Sequence, residues 1–208
     1  KQVGKKIGLT SRRMQAAVGV DQPDYGYIMD AQMVDEGLPI PMSELIQPRM
    51  EAEIGFVLAT DLRGPGVTAM DVLRCTTGVV PTFEVIDSRI RDWKIKIQDT
   101  IADTASIGRV MAGARMTDVQ GLDLRTVGVV VRKNGEIVET AAGAEVLGNP
   151  AQSVAWLVNK LSEFSVSLKA GELILSGSAI SAQKIDSGDV IQADFGDGIG
   201  GVTARFRD

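Results

Sequence analysis

Three glutamates and one lysine are the side chains whose types and spacing allow metal-assisted acid–base chemistry. The segment Arg49-Met50-Glu51-Ala52-Glu53-Ile54-Gly55-Phe56 reads as the opening of a β-strand. Successive side chains of a strand point to opposite faces, so Glu51 and Glu53 share one side. Two such carboxylates repel unless solvent or a cation separates them, or one of them keeps a proton. A third acid, Glu84, stands in Pro81-Thr82-Phe83-Glu84-Val85-Ile86-Asp87, among apolar residues where an unpaired charge is costly. Spacing alone leaves two readings open. Either these acids are a wet strand face and structural ion pairs, or they converge as oxygen ligands of an octahedral Mg²⁺ site.

Other candidates are weighed in the same way. Lys6, in Lys6-Ile7-Gly8-Leu9-Thr10-Ser11, precedes an apolar strand-like step and reads on its own as an ordinary surface lysine. Asp24, in Asp21-Gln22-Pro23-Asp24-Tyr25-Gly26, sits in turn chemistry, where aspartate often only caps backbone N–H groups. Leu175-Ser176-Gly177-Ser178 is either a tight bend or a source of N–H and hydroxyl donors for a carboxylate. Cys75 falls on an expected helix and reads as a small core residue before a nucleophile.

Composition narrows the chemistry further. The chain of 208 residues contains no histidine. Ser-His-Asp and Cys-His triads, histidine-held zinc and imidazole proton shuttles are therefore excluded. Acid–base work falls to Asp, Glu, Lys, Tyr, Cys or a metal-activated water. A side-chain metal site would hold a hard cation, Mg²⁺ or Mn²⁺ before zinc. A single cysteine rules out an internal disulfide and favours a reducing cytoplasm. Net charge −5 and a pI near 4.9 argue against nucleic acid as partner. No apolar run reaches the roughly 20 residues that cross a bilayer, which argues against a membrane partner. The chain opens Lys1-Gln2-Val3 without a methionine, which reads as a sequence whose N-terminal segment is absent.

The elements that must position these residues are mostly strands. The 23 glycines and 7 prolines punctuate short runs, and no linker or repeat divides the chain, so residues 1–208 are expected to form one catalytic domain. Asn134-Gly135 between Val127–Val131 and Glu136–Thr140 predicts a hairpin, because both turn residues accept positive φ. Leu173–Leu175, Val190–Phe195 and Gly201–Phe206 read as further strands, with Ile54–Ala59 and Phe83–Ile86 in the middle. Gly198-Ile199-Gly200-Gly201 lacks a strand-to-helix context and reads as a tight turn, not a dinucleotide loop. Asn149-Pro150 predicts an N-cap with proline at the first helical position, followed by an apolar stripe at Val154, Leu157, Val158 and Leu161. Thr68–Thr76 and Ser11–Val18 are two more helix candidates. The fold class is α+β, mostly β: a mixed, bent sheet or roll with a few covering helices.

Taken in order, these segments resemble the fumarylacetoacetate hydrolase family in its hydratase/decarboxylase branch, from Lys6 to Phe206. The carriers are Lys6–Ser11, Gly19-Val20-Asp21-Gln22-Pro23-Asp24-Tyr25-Gly26, Glu51-Ala52-Glu53 and Leu62-Arg63-Gly64-Pro65. Glu84-Val85-Ile86-Asp87-Ser88-Arg89-Ile90, Asp92-Trp93-Lys94-Ile95 and Asp99-Thr100-Ile101-Ala102-Asp103 continue the series. The resemblance implies that Glu51, Glu53 and Glu84 bind Mg²⁺ or Mn²⁺. It implies that Lys6 and Asp24 face the substrate as catalytic residues, with Leu9 and Ser178 in contact with it. Two departures stand out: the family's helical N-terminal segment is missing, and Thr104 occupies a position where asparagine is common.

The activity so implied is addition of water to a small 2-hydroxy-dienoic acid. The acid's carboxylate and C2 oxygen chelate the ion, Lys6 stabilises the oxygen, and Asp24 activates water at C4. A decarboxylase of the same branch is the nearest rival, but there the position of Asp24 tends to be apolar. The hydrolase branch uses a histidine to activate water, which this chain lacks. A non-catalytic subunit supporting an active partner is a third reading. The resemblance further implies a cytoplasmic homo-oligomer, with association to a sister decarboxylase or a downstream aldolase.

Overall fold

A computed structural model describes residues 1–208, the side chains of Ala17 and Val18 apart. The chain opens with β1 (Gln2–Gly8), α1 (Arg12–Val18), β2 (Asp24–Met29), β3 (Met33–Asp35), β4 (Ile40–Pro41) and β5 (Arg49–Leu58). It continues through α2 (Ala69–Arg74), β6 (Thr76–Ile86), α3 (Ile97–Ala102), β7 (Ile107–Ala112), β8 (Gly128–Lys133) and β9 (Glu136–Ala142). The last elements are α4 (Pro150–Ser162), β10 (Leu173–Ser178), β11 (Gln183–Lys184), β12 (Val190–Phe195) and β13 (Gly200–Arg207).

Two sheets result. The larger is mixed and curled, in the order β2-β1-β10-β5-β6-β7-β3, with β11 added beside β5. The smaller runs β4-β13-β12-β8-β9. On β5 the even-numbered side chains Met50, Ala52, Ile54, Phe56 and Leu58 are all buried in the main core. They pack there with Val154, Leu157, Val158 and Leu161 of α4 and with Ile191, Val202, Ala204 and Phe206 of the smaller sheet. Removing this apolar surface from water is what holds helix and sheets together. The odd-numbered face of β5 is left for other work.

Local signals placed several elements correctly. Asn134 and Gly135 take φ of 54° and 88° between β8 and β9. The Asn149 side chain accepts from the Ala151 N–H, with Pro150 opening α4. Ser11 caps α1 by accepting from the Met14 N–H. Other expectations need correction. The helix expected over Thr68–Thr76 ends at Arg74; Thr76 already opens β6, and Cys75 is the C-cap. Asp24 is not a turn cap but the first residue of β2, because pairing with β1 draws it into the sheet. The short runs around Ile54 and Phe83 are parts of much longer strands, since each is flanked by partners on both sides.

Candidate metal and substrate site

The site is built first by the antiparallel ladder of β5 and β6. Glu51 pairs with Glu84, and Glu53 pairs with Thr82, so all three glutamates project from the face opposite the core. One carboxylate oxygen from each lies within 4.8 Å of the other two. Glu53 and Glu84 are 1% and 0% exposed, and Glu51 is half-buried at the rim. A bulge where β10 pairs with β5 turns the Gly177 N–H toward Glu53, which accepts it at Oε2 over 2.7 Å. The other Glu53 oxygen and both Glu84 oxygens accept no hydrogen bond.

Carboxylates so crowded and dry resist ionisation. Burial, reinforced by the charge of Glu84, pushes Glu51 up to about 7. Burial and then Glu84 push Glu53 well above the usual carboxylate range. Burial raises Glu84 as well, although the neighbouring Lys6 pulls the other way.

Lys6 and Asp24 come from the next pair of strands. Lys6 on β1 is 2% exposed; its Nζ lies 2.8 Å from Glu84 Oε1, an ion-pair contact without hydrogen-bond alignment. It donates instead to the Ala105 carbonyl over 3.0 Å. Burial by itself would lower the Lys6 pKa, but the charges of Glu84, Asp24, Glu51 and Glu53 raise it, so the ammonium form persists. Asp24 pairs with Gly8 across the β1–β2 ladder, is 3% exposed, and has an Oδ1 without a partner. A Cβ at Gly8 would stand 2.2 Å from that oxygen and 3.5 Å from Lys6 Nζ. Glycine there keeps the Asp24 carboxylate beside the Lys6 ammonium.

The third wall is a strained loop. Thr104, Ala105 and Ser106 take φ of 50°, 54° and 57°, three successive left-handed residues with side chains. Such backbone is costly and survives only when its surroundings over-determine it. Gly26 on β2 provides the room, since a Cβ there would lie 2.3 Å from the Thr104 carbonyl oxygen. The loop presents the Ala105 carbonyl to Lys6 and leaves the Ser106 hydroxyl buried and without a partner.

These walls enclose a cavity of about 170 Å³, bordered by Lys6, Leu9, Asp24, Glu51 and Ser106 among polar and mixed neighbours, and by apolar Ile86, Trp93 and Ile95. Leu9, at φ 54°, is among these bordering residues. Ser178 does not line this space: its hydroxyl donates to the Ile180 carbonyl and accepts the Ile180 N–H, closing its own turn. Of the two hydroxyl residues bordering the cavity, Thr100 donates to the Ile97 carbonyl and Ser106 has no partner; no local signal in the sequence singles Ser106 out. A wider groove of about 930 Å³, bordered by Arg12, Arg13 and Glu139, contains none of the convergent acids. Cys75 lies apart, beside Pro65 and Arg74.

The donors fit a divalent cation. Four buried or half-buried acids face one ammonium, and their unpartnered oxygens would be costly without a further positive charge. An all-oxygen set is what Mg²⁺ or Mn²⁺ prefers.

Comparison with known proteins places the chain in a family. The family model described as fumarylacetoacetate (FAA) hydrolase C-terminal matches residues 5–207. A 2-hydroxypent-2,4-dienoate hydratase from Pseudomonas putida is 53% identical over 165 residues, 79% of this chain and 74% of that protein. A 2-hydroxyhexa-2,4-dienoate hydratase from Comamonas testosteroni is 48% identical over 189 residues, 90% of this chain and 72% of that protein. Among solved structures, a 4-oxalocrotonate decarboxylase from Pseudomonas putida G7, complexed with magnesium and adipate, superposes with a TM-score of 0.95 at 44% identity. That match covers 99% of this chain and 78% of the other.

Proposed function

The chain belongs to the fumarylacetoacetate hydrolase C-terminal family, and we propose that it is a hydro-lyase adding water to 2-hydroxypenta-2,4-dienoate to give 4-hydroxy-2-oxopentanoate. Residues 1–208 would then serve as one catalytic domain. Glu51, Glu53 and Glu84 would hold a divalent cation, with Mg²⁺ or Mn²⁺ the fitting choices. When bound, the ion supplies a Lewis acid for negative charge developing on the substrate's C2 oxygen.

The protein's own groups carry the remaining work. The Lys6 ammonium, raised in pKa by the surrounding acids, donates to the C2 oxygen or the C1 carboxylate and stabilises the charge there. The Ser106 hydroxyl, without a partner in the protein, is placed to donate to the same end of the substrate. Ile86, Trp93 and Ile95 surround the carbon chain and exclude bulk water. The dienol first becomes the α,β-unsaturated ketone by loss of its hydroxyl proton and gain of a proton at C5. Asp24 then takes a proton from the water whose oxygen bonds to C4, and C3 gains a proton, so the net addition is one water.

One observation favours hydration over decarboxylation: Asp24 is buried beside Lys6 with a carboxylate oxygen that no protein group uses. Loss of CO₂ needs no base for water, whereas water is a poor nucleophile and needs one. The test is to supply the protein with Mg²⁺ or Mn²⁺ and enzymatically generated 2-hydroxypentadienoate, and separately 4-oxalocrotonate. Ultraviolet loss with the first and no CO₂ from the second is the expected result. CO₂ release from the second without hydration of the first would assign the chain to the decarboxylases.

A further inference from the structure

We propose that Arg49 is a specificity-determining residue, whose guanidinium receives a second carboxylate at the far end of a longer dienoic acid bound through its C1 end at Glu51, Glu53 and Glu84. The proposal rests on the hydratase reading and extends its substrate class to dicarboxylic acids.

The strand ladder supplies the geometry. Arg49, Glu51 and Glu53 share one face of β5, and Arg49 pairs with Ile86 where Glu51 pairs with Glu84. Arg49 therefore stands two residues, about 7 Å, beyond Glu51 along the same row. It borders the cavity together with Ile86, which pairs with it, Trp93, which it stacks on, and Ile95, while Glu51 and Lys6 border the same cavity. A dicarboxylic chain has the matching pattern. Its head meets the acids and their cation, its middle meets apolar side chains, and its distal anion meets the guanidinium.

The guanidinium is also held ready. It lies over the Trp93 ring, 4.7 Å from the centroid. The Trp93 indole N–H donates to the Gln47 carbonyl over 3.1 Å, and the Gln47 amide donates to the carbonyls of Ser88 and Ile90. An aromatic platform fixes the plane of the fork while leaving its edge free, which suits a two-pronged grip on a carboxylate. Among the described residues no acid forms an ion pair with Arg49 and no side chain accepts from it, whereas Arg89 pairs with Asp103 and Arg109 with Glu44. Arg49 itself is exposed, so its donors are open both to water and to an anion at the mouth of the cavity.

The competing explanation is that Arg49 only offsets the charge of Glu51 and so serves every substrate equally. Magnesium-loaded wild type, Arg49→Gln and Arg49→Lys would be compared on 2-hydroxypenta-2,4-dienoate and 2-hydroxyhepta-2,4-diene-1,7-dioate, and titrated calorimetrically with adipate and hexanoate. Losing a charge-assisted contact should lower the diacid-to-monoacid ratio of kcat/KM by about 10- to 100-fold in Arg49→Gln, mainly through KM. The adipate-to-hexanoate affinity ratio should fall in parallel, and Arg49→Lys should keep part of both. Equal losses on monoacid and diacid, or a wild type that does not prefer adipate, would overturn the assignment. If wild type turned over neither dienoate, the hydratase reading would fall, while the affinity ratio would still decide the role of Arg49.

Discussion

Two neighbouring lysines of β1 sit in equally dry places and meet opposite fates. Lys5 and Lys6 are each 2% exposed, and the strand turns them to opposite faces of the sheet. Lys5 Nζ donates to both oxygens of Glu172 over 2.7 Å. The same carboxylate accepts from the Gln2 side chain and the Lys169 N–H, and the Tyr27 ring lies 5.9 Å from the ammonium. Every strong donor and acceptor there has a partner. Lys6 faces four acids instead, and Asp24, Glu53 and Glu84 keep oxygens that nothing in the protein satisfies. A buried ion pair that closes on itself is structure. One that leaves lone pairs open can still take up a ligand.

The comparison is broken most severely at Glu84. If Glu84 is a metal ligand, Glu84→Gln removes its charge, so metal-dependent turnover should fall below detection, more than the roughly 10²–10⁴-fold that loss of acid–base help costs. Circular dichroism should stay unchanged, because the amide fits the same space and relieves repulsion. A fully active Glu84→Gln protein would remove Glu84 from the site.

Asp24→Asn keeps size and removes basicity, and should slow hydration by about 10²–10⁴-fold. Formation of the unsaturated ketone should survive better than water addition, since on the proposed reading that step would rest on Lys6 and the bound cation. Following proton uptake at C5 beside addition at C4 separates the two. Equal loss of both would make Asp24 an organiser of the pocket and not the base.

On the closed side of the strand the expected loss is in stability, not rate. Lys5→Met strands a buried Glu172 charge and should cost about 3–5 kcal/mol in urea unfolding. The double change Lys5→Met with Glu172→Leu should recover most of that loss. Turnover per folded molecule should be unchanged in both, and a drop would mean that the two lysines are coupled.

The smallest effect is the pH dependence of the metal-free protein. Glu51 takes up its proton near pH 7 when folded against an ordinary value of 4.5, so between these pH values the folded state holds more protons than the unfolded one. In EDTA, stability should therefore fall as pH rises from about 4.5 to about 7, opposite to the behaviour of a salt-bridged acid. Added Mg²⁺ should stabilise the fold most above pH 7, by about 2.7 kcal/mol at a hundredfold excess over its Kd. Thermal melts with and without the ion across this range would measure both signs.

Features whose cause is local are legible in the sequence alone. The Asn134-Gly135 hairpin and the Asn149-Pro150 entry into α4 each depend on a few adjacent residues. The strand period puts Glu51 and Glu53 on one side, and the absence of histidine removes imidazole chemistry and makes a hard cation the expected metal. Resemblance to a family then singles out Glu84, Lys6, Asp24 and Leu9, all of which the fold brings to one place.

Other facts are settled only by long-range pairing. Nothing near Asp24 shows that Gly8 will lie opposite it, and nothing near Thr104–Ser106 shows that Gly26 will make room for three left-handed residues. Ser178 and Ser106 look alike in sequence, yet one hydroxyl is consumed by its own turn while the other faces the cavity. Alternation along β1 ensures that Lys5 and Lys6 face opposite sides, but only the partners of those faces decide which lysine is structural. Glu172 is 167 residues from Lys5, and Glu84 comes to Lys6 through β6, β5 and β10. A backbone's local preferences span a few residues. The charges that give each lysine its role are brought there by sheet pairing, which is a property of the whole chain.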